Sequence, residues 1–258
     1  VDQNIGYLSG QNGLLMKTVD GGLTWQYLNS GVTVNLNDID FFDADTGYAV
    51  GASGTMIKTT NGGANWINVT NPVTVAINTI FIQSPNNVYM GTASGTSPRV
   101  NRSTDYGATW VEITPAGLTQ TVWDIFFISP THGWIATQNG GRVYRTTDGG
   151  ATWVDSVVDG LIVPNTVKFK DLQTGFVTNN NNGNVYKSTD GGVTWAPIAA
   201  TTVRQNSFDL NGTNIWTAGN TGTMTKSSND GTNYTELHSA VTIQQIRRIH
   251  FFNSQFGV

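Results

Sequence analysis

The sequence contains no cysteine, and charged residues make up only 12% of its 258 positions. The absence of cysteine excludes disulfides and thiolate chemistry, and it argues mildly against a eukaryotic secreted protein. No apolar run approaches the roughly 20 residues of a membrane-spanning helix, so we expect no direct membrane insertion. The net charge is −4, and the thirteen lysines and arginines look scattered, so we expect no nucleic-acid partner.

Sustained helical periodicity is also missing, and the polar positions are filled mainly by Asn, Thr, Ser and Gly. These residues suit strands and turns better than helices. Aromatic residues make up 10% of the chain and include 8 tryptophans, enough for a packed core and unlike a disordered composition. The composition therefore favours an all-β globular protein.

One eight-residue pattern, here called the octet, recurs six times. The copies read "TVDGGLTW" from position 18, "TTNGGANW" from 59, "STDYGATW" from 103, "TTDGGATW" from 146, "STDGGVTW" from 188 and "SSNDGTNY" from 227. The closing aromatics recur every 39 to 44 residues and are Trp25, Trp66, Trp110, Trp153, Trp195 and Tyr234. So regular a period is the signature of a repeat architecture.

Each unit between octets holds four short strand candidates, joined by turns rich in Gly, Asn and Asp. Four strands in about 42 residues, repeated radially, predict a blade of a β-propeller. We predict one domain over residues 1–258 with six four-stranded antiparallel blades. The N-terminal strands and the C-terminal strand then share one blade and close the ring. Seven or more blades are the alternative if the sequence is an excerpt of a longer chain.

The octet resembles the Asp-box, also called the BNR repeat. The longer stretch "FFDADTGYAVGASGTMIKTTNGGANW" resembles the repeats of the photosystem II stability and assembly factor family and its bacterial relatives. The resemblance covers essentially the whole chain, and it implies octets at the rim, between the third and fourth strands of each blade. Asp-boxes also occur in sialidases, xyloglucan-cleaving glycosidases and sortilin-type receptors, so the resemblance identifies the blade more specifically than the function.

The acidic position of the octet has a structural explanation. An Asp or Asn side chain accepts hydrogen bonds from backbone N–H groups in a tight turn, and Gly takes the positive φ that the turn requires. Two copies carry Asn, which fits an acceptor and does not fit a catalytic carboxylate. We therefore predict turn braces, not catalysts or calcium ligands, at Asp20, Asn61, Asp105, Asp148, Asp190 and Asn229.

Catalytic motifs are hard to find. The three histidines have no metal-ligand spacing, so we predict no metal and no cofactor. The two glutamates, Glu112 and Glu236, follow octets and are expected on solvated outer strands. A glycosidase would need two carboxylates across a cleft. The innermost strands hold the candidates for such a pair, which are Asp38, Asp40, Asp124 and Asp209.

The innermost strands also carry the most informative irregularity. Alignment by the octets places at one position Asn37, Asn78, Trp123, Asn165, Asn206 and Arg247. The asparagines look structural, and Trp and Arg, which are enriched at binding hot spots, interrupt them. We predict no catalytic residue but a binding face at the axial mouth, formed by Asp38, Trp123, Asp124, Arg247 and Arg248, with Lys168 and His250 deeper in the channel. The alternative is a wet, channel-lining ring without a ligand.

Two classes of function follow. The resemblance implies a non-enzymatic binding or assembly scaffold with a protein partner, and the Lys-poor, Asn- and Thr-rich composition suits a bacterial protein that is secreted, periplasmic or at the cell surface. The chain can then be a module of a larger chain or assembly. The alternative is a glycan-binding lectin or a glycoside hydrolase, sialidase-like or xyloglucanase-like.

Overall fold

The computed structural model describes residues 4–93, 98–138, 140–158, 160, 163–181, 183–200, 204–220 and 223–237. These residues form six antiparallel sheets, five with four strands and one with three, that follow one another along the chain. The protein is a six-bladed β-propeller with almost no helix, as the repeat period predicts. No helix in the described ranges is long and apolar enough to cross a membrane.

The first three blades use strands β1 to β11. Blade 1 contains β1, β2 and β3, which span Gly6–Ser9, Leu15–Thr18 and Gln26–Leu28. Blade 2 contains β4 to β7, which span Leu36–Phe41, Gly47–Gly51, Met56–Thr59 and Ile67–Asn68. Blade 3 contains β8 to β11, which span Ile77–Ser84, Asn87–Thr92, Val100–Ser103 and Val111–Glu112. Two short 3₁₀ turns connect consecutive strands. Gln11–Gly13 joins β1 to β2 in blade 1, and Ala52–Gly54 joins β5 to β6 at the corresponding place in blade 2.

The last three blades use strands β12 to β23. Blade 4 contains β12 to β15, which span Val122–Phe127, Gly133–Thr137, Arg142–Thr146 and Val154–Val157. Blade 5 contains β16 to β19, which span Pro164–Phe169, Gly175–Asn179, Asn184–Ser188 and Ala196–Ala200. Blade 6 contains β20 to β23, which span Gln205–Asn211, Asn214–Gly219, Met224–Ser227 and Thr235–Leu237. The strand predicted to complete blade 1 from the C-terminal side lies outside the described residues.

Consecutive blades touch through their first strands, because β4 contacts β8, β8 contacts β12, β12 contacts β16 and β16 contacts β20. These strands are therefore the innermost ones, next to the axis. The fourth strand of each blade is the outer edge, where Ile67 in β7 and Val111 in β11 are exposed. Both of these edge strands have only two residues, which limits pairing with other sheets.

The hydrophobic core is divided among the seams between blades. At the seam between blades 2 and 3, Tyr48 and Met56 pack against Ile80 and Met90. Equivalent clusters fill the other four seams between consecutive blades from blade 1 to blade 6. A single blade thus buries its faces only against its neighbours, as expected for a repeat fold.

Candidate functional site

The octet at 146–153 shows what the acidic residue does. The Thr146 hydroxyl donates to Asp148 Oδ1 at 2.7 Å, and the Thr152 hydroxyl donates to Oδ2 at 2.6 Å. The Thr152 N–H donates to Oδ1 at 2.9 Å, while the Gly150 N–H donates to the Thr146 hydroxyl at 2.9 Å. The carboxylate therefore closes the turn between β14 and β15 on both of its oxygens, at the rim.

In the two Asn copies a side-chain oxygen is again the acceptor, but the residue four positions later is Asn instead of Thr. In the octet of blade 2, the Asn65 N–H donates to Asn61 Oδ1 at 2.9 Å, and the Thr59 hydroxyl donates to the same oxygen at 3.0 Å. The four Asp copies have Thr four residues later, whereas both Asn copies have Asn there. A carboxylate accepts the Thr hydroxyl on its second oxygen, and an amide has a donor at that place. The octet is thus a brace that needs an acceptor.

These hydrogen bonds lower the pKa of the octet carboxylates. The Thr152 hydroxyl, the Thr152 N–H and the Thr146 hydroxyl lower the pKa of Asp148 to about 2. The corresponding Thr24 and Thr109 groups lower the pKa of Asp20 and Asp105 to about 2. Such a carboxylate is ionised at any pH at which an acid or nucleophile would act, which is unlike a general acid with a raised pKa.

The lowered pKa predicts acid sensitivity. A carboxyl group with a lower pKa in the folded than in the unfolded chain stabilises the fold above pH 4, and this contribution disappears as the pH falls from about 4 to about 2. We expect the double substitution Asp148→Asn with Thr152→Asn, which copies Asn61 and Asn65, to reduce the fall in melting temperature between pH 5 and pH 2.5. Circular dichroism melts at the two pH values measure it.

The reciprocal variant is the matched control. Asn61→Asp with Asn65→Thr converts an Asn octet into an Asp octet and should steepen the same fall in melting temperature. Equal pH dependence in both variants and the wild type would contradict a stabilising role of the octet carboxylates.

The fourth residue of the octet joins its blade to the preceding one in blades 2 to 6. The Gly62 N–H donates to Asp45 O at 3.0 Å within blade 2. The Gly62 carbonyl accepts from the Tyr7 hydroxyl at 3.0 Å and from Lys17 Nζ at 2.9 Å, both in blade 1. One residue of the rim therefore holds a hairpin of its own blade and two side chains of the blade before it.

The cations of this joint recur in every blade. A Lys or Arg immediately precedes each octet, at Lys17, Lys58, Arg102, Arg145, Lys187 and Lys226. In five blades it lies 5.1 to 5.5 Å from the ring centroid of the buried or half-buried aromatic on the second strand. The interpretation of the basic residues as scattered is wrong, because six of the thirteen share one repeat position. An alignment of the residues that immediately precede the octets is enough to show this shared basic position.

The aromatic partner also donates to the joint in several blades. The Tyr48 hydroxyl donates to the Tyr106 carbonyl at 2.6 Å, and Trp134 Nε1 donates to the Gly191 carbonyl at 3.0 Å. Burial and the nearby Asp105 carboxylate raise the pKa of Tyr48 to about 12, so its hydroxyl keeps its proton for this bond. These residues are structural.

The predicted axial position proves to be a β-bulge in the described blades. The residues Asn37, Asn78, Trp123, Asn165 and Asn206, here called the axial ring, each lie where the register between first and second strands shifts. A bulge inserts an extra residue and re-aims its side chain. The axial ring therefore sits where the innermost strands begin, as the alignment predicts.

Asparagines of the axial ring bridge consecutive blades. Asn37 Nδ2 donates to Ile77 O at 2.9 Å, and Asn78 Nδ2 donates to Val122 O at 3.3 Å. Asn165 Nδ2 donates in the same direction to Asn206 O, from blade 5 to blade 6. Each bridge places an amide donor on a backbone carbonyl of the next innermost strand, which confirms the structural reading of these asparagines.

The inner carboxylates also connect blades. Buried Asp38 accepts the Ile80 N–H at 3.0 Å, and Asp40 accepts the Ile82 N–H at 2.8 Å, so blade 2 holds blade 3. Buried Asp124 accepts the Val167 N–H at 3.0 Å, which links blade 4 to blade 5. Asp209 is the fourth of the carboxylates considered as a glycosidase pair. It is buried and forms an ion pair with Lys168 across the seam between blades 5 and 6.

Trp123 differs from the asparagines of the axial ring. Its side chain is half-buried, but the indole Nε1 is buried and has no hydrogen-bond partner among the residues that the structure describes. Three residues earlier, Gln120 Oε1 is likewise buried and unpaired, a feature that sequence reasoning missed. No pattern in the chain signals it, because pairing depends on neighbours in other blades.

The described residues include only part of the predicted binding face. Asp38, Trp123 and Asp124 lie at or beside the axial ring, and Lys168 lies further along β16, three residues after Asn165. Arg247, Arg248 and His250 lie outside the described residues. Glu112 and Glu236 lie on outer strands and are exposed, as predicted.

The octet tryptophans vary in their hydrogen bonds. Trp25 Nε1 donates to Gly22 O at 3.1 Å and Trp110 Nε1 to Gly107 O at 3.2 Å, within their own octets. Trp153 Nε1 instead donates to Ile113 O at 2.8 Å in the preceding blade. The indole nitrogens of Trp66 and Trp195 have no hydrogen-bond partner in the described part of the chain. A bond from the indole N–H to a backbone carbonyl is thus present in three of these five octets.

A known protein family matches part of the repeated sequence. The family described as "Photosynthesis system II assembly factor YCF48" matches residues 24–116, just over a third of the chain. No protein of curated function matches the sequence. The chain is a BNR-repeat β-propeller that resembles this family.

Solved structures share the fold at low sequence identity. "YCF48 bound to D1 peptide" is 19% identical with a TM-score of 0.79, over 99% of this chain and 86% of that one. YCF48 from Cyanidioschyzon merolae is 19% identical with a TM-score of 0.77, over 99% and 88%. The GH74 xyloglucanase from Xanthomonas campestris is 13% identical with a TM-score of 0.76, over 92% of this chain and 44% of the enzyme.

Proposed function

We propose that this BNR-repeat propeller is a non-enzymatic scaffold that binds a segment of a protein partner at the axial ring. The observation that carries the proposal is a difference between the polar residues of the innermost strands and Trp123. Asp38 and Asp124 are buried and bonded to the backbone of the next blade, whereas Trp123 is half-buried and makes no such bridge to any described residue. Tryptophan is among the residues most enriched at binding hot spots.

The comparison with YCF48 supports a peptide as the ligand. The solved YCF48 structure described as bound to D1 peptide has the same fold over 99% of this chain. At 19% identity the comparison shows a shared fold alone, so peptide binding by this protein is our proposal. A propeller offers one concave place where the innermost strands of all blades converge, and binding sites favour such concavities with a few polar groups.

We further propose that the protein acts outside the bacterial cytoplasm. The support is its composition, which is rich in Asn, Thr and Gly and has no cysteine. Digestion of intact producing cells with an added protease tests the location, since an intracellular protein would survive until the cells are lysed.

A glycan ligand is the competing possibility, because GH74 enzymes share the fold. A hydrolase needs two carboxylates free to act on the bond. The candidates Asp38, Asp40, Asp124 and Asp209 all hold neighbouring blades through backbone N–H groups or an ion pair. A glycan array and a xyloglucan hydrolysis assay, run on the same preparation, separate this possibility from peptide binding.

Selection from a phage-displayed peptide library on the immobilised chain tests the proposal. We expect enriched peptides that bind in isothermal titration calorimetry and lose about thirtyfold in affinity with Trp123→Ala, the size of a hot-spot truncation. Arg247→Ala tests the second predicted hot spot in the same way. Tyr27→Ala is the matched control, because Tyr27 is a 78% exposed aromatic on the outer strand of blade 1.

Two results would overturn the proposal. One is the absence of any enriched peptide together with binding or hydrolysis of a glycan. The other is peptide binding that is equally strong in the wild type, Trp123→Ala and Arg247→Ala, which would move the binding face away from the axial ring.

A further inference from the structure

We propose that the outer strand of blade 1, β3, pairs with β3 of a second copy of this chain and forms a weak homodimer. The proposal concerns a surface distinct from the axial ring and goes beyond the proposed function. It rests on one outer-strand position, two residues after the aromatic that closes each octet. The residues at this position are Tyr27, Asn68, Glu112, Asp155, Pro197 and Glu236.

The strand pairing shows that these six residues are equivalent. In blade 1, Tyr27 lies opposite Met16, one residue before the Lys17 that precedes the octet. The other five lie opposite the corresponding residue of the third strand in their own blades. All six are exposed, and Tyr27 exposes 78% of its surface. The same place at the outer edge of the ring can therefore be compared from blade to blade.

The other blades protect this edge against pairing with further strands. Three of them place a carboxylate there, and blade 5 has Pro197, which has no N–H to donate. In blade 2 the position is Asn68, in a strand of only two residues. Charge, proline and short strands are the means by which natural sheets prevent edge pairing. Blade 1 has none of them, because β3 reads Gln-Tyr-Leu over Gln26–Leu28 and carries no charge.

The backbone of Tyr27 is directed outward. In blades 2 and 3 the next residue along, Val69 or Ile113, donates its N–H to the third strand at 2.9 Å and 2.8 Å. Its counterpart in blade 1 is Leu28, which lies opposite Leu15. Since the backbone groups of an antiparallel strand alternate between its two sides, the N–H and C=O of Tyr27 point away from β2. They form the free edge of the sheet.

A second copy is the partner that this edge suits. With a two-fold axis at Tyr27, the two copies of this residue exchange both N–H···O bonds, and their rings form a cross-strand aromatic pair. Gln26 then lies opposite Leu28. The same self-pairing of blade 3, 4 or 6 would set two carboxylates opposite each other, which is unfavourable. A strand from a different protein tolerates a charge on this edge if it carries the opposite one, whereas a self-paired strand does not.

Apolar side chains in the octet of blade 1 add to this surface. Val19 is 61% exposed and Leu23 is 86% exposed, at the second and sixth octet positions. The other octets have Thr or Ser at the second position and Ala, Val or Thr at the sixth. The Thr24 N–H donates to Asp20 Oδ1 at 2.9 Å, so the residues that precede this bonded pair lie on one turn, which leads directly into β3. Exposed apolar surface of this kind marks interaction sites.

The interface is small. Three strand residues and two turn side chains from each copy bury well under about 1,200 Å², the range of transient complexes, so we expect a Kd on the order of 100 µM. At low micromolar concentrations the dimer dissociates, and Tyr27→Ala there reports on the monomer. The outer strand and the axial ring lie at opposite ends of a blade, so a dimer presents two free axial rings and binds a partner with two copies of its segment more tightly.

Sedimentation velocity over a range of about 10 µM to 1 mM tests the pairing, and the wild type should change from monomer to dimer across it. Tyr27→Glu copies the residue of blades 3 and 6. It should weaken the dimer by about tenfold or more, because two opposed carboxylates replace the aromatic pair. Asn68→Glu is the matched control, since it adds the same charge at the equivalent position of blade 2, and it should leave the Kd unchanged.

Mixing two variants tests the register. Tyr27→Glu and Tyr27→Lys should each be largely monomeric where the wild type is dimeric. Their equimolar mixture should regain a dimer, since opposite charges then face each other across the two-fold axis. Circular dichroism melts of each variant confirm that the fold is intact.

Three results would overturn the proposal. The first is a wild-type chain that stays monomeric throughout the concentration range, and the second is a dimer that Tyr27→Glu leaves unchanged. The third is a pair of monomeric variants that do not associate on mixing, which removes the pairing of Tyr27 with its own copy. None of these results bears on peptide binding at the axial ring, which is measured at the other end of the blades.

Discussion

Trp134→Ala should lower the free energy of unfolding by about 3 to 5 kcal/mol, the range for truncation of a buried large aromatic. Trp134 is 2% exposed and lies in the core cluster between blades 4 and 5. Its ring stacks on Phe169 with centroids 3.5 Å apart, and its Nε1 donates to the Gly191 carbonyl at 3.0 Å. The substitution thus removes packing and the rim joint of one seam together.

A conservative variant separates the two contributions. Trp134→Phe keeps an aromatic ring, as Phe176 does at the equivalent position of blade 5, and removes the donor to Gly191. Loss of that bond should cost about 1 to 2 kcal/mol. Tyr27→Ala on the exposed outer strand should change stability by less than about 0.5 kcal/mol. Chemical denaturation followed by circular dichroism gives all three values, and equal effects of the Ala and Phe variants would contradict the packing argument.

Asp38→Ala should cost about 3 kcal/mol, because it leaves two backbone donors without their acceptor at about 1 to 3 kcal/mol each. The side chain is 4% exposed, and its oxygens accept the Ile39 N–H and the Ile80 N–H, both at 3.0 Å. The Ile80 bond crosses from blade 2 to blade 3. Denaturant titrations again give the free energy of unfolding.

Asp38→Asn is the informative partner, since it keeps one acceptor and replaces the other with a donor that faces an N–H. Its cost should be about half that of the alanine variant. Glu236→Gln, on the exposed strand β23, controls for the loss of one negative charge and should be nearly neutral. If Asp38→Ala unfolds at the wild-type denaturant concentration, the carboxylate does not hold the seam.

The sequence predicts the scaffold well because the scaffold is periodic. Asp148 could be read as a brace from its siblings alone, since Asn61 and Asn229 exclude a role that requires a carboxylate. Asn37 and Asn78 could be assigned to structure for the same reason, as they repeat at one position of the innermost strands. What repeats six times braces the turn at the rim of each blade, and the octet bonds bear this out in atomic detail.

The sequence says far less about contacts between blades. Lys58 stacks on Tyr48 of its own blade and donates to Tyr106 of the next, which lies 48 residues further along. No local pattern encodes such a contact, because it arises only when the ring brings separate units side by side. The unpaired state of Trp123 is hidden for the same reason, since it depends on where the next blade places its acceptors.

Most joints between blades pair a side chain of the earlier blade with main-chain atoms of the later one, as Asn37 does with Ile77 and Trp134 with Gly191. The ion pair of Lys168 with Asp209 is an exception. Because every residue carries the same peptide atoms, a blade can diverge in sequence without losing the surface that its predecessor grips. Divergence can then proceed one blade at a time, with no compensating change next door, which is how a ring only 19% identical to YCF48 can align with it over 99% of its length.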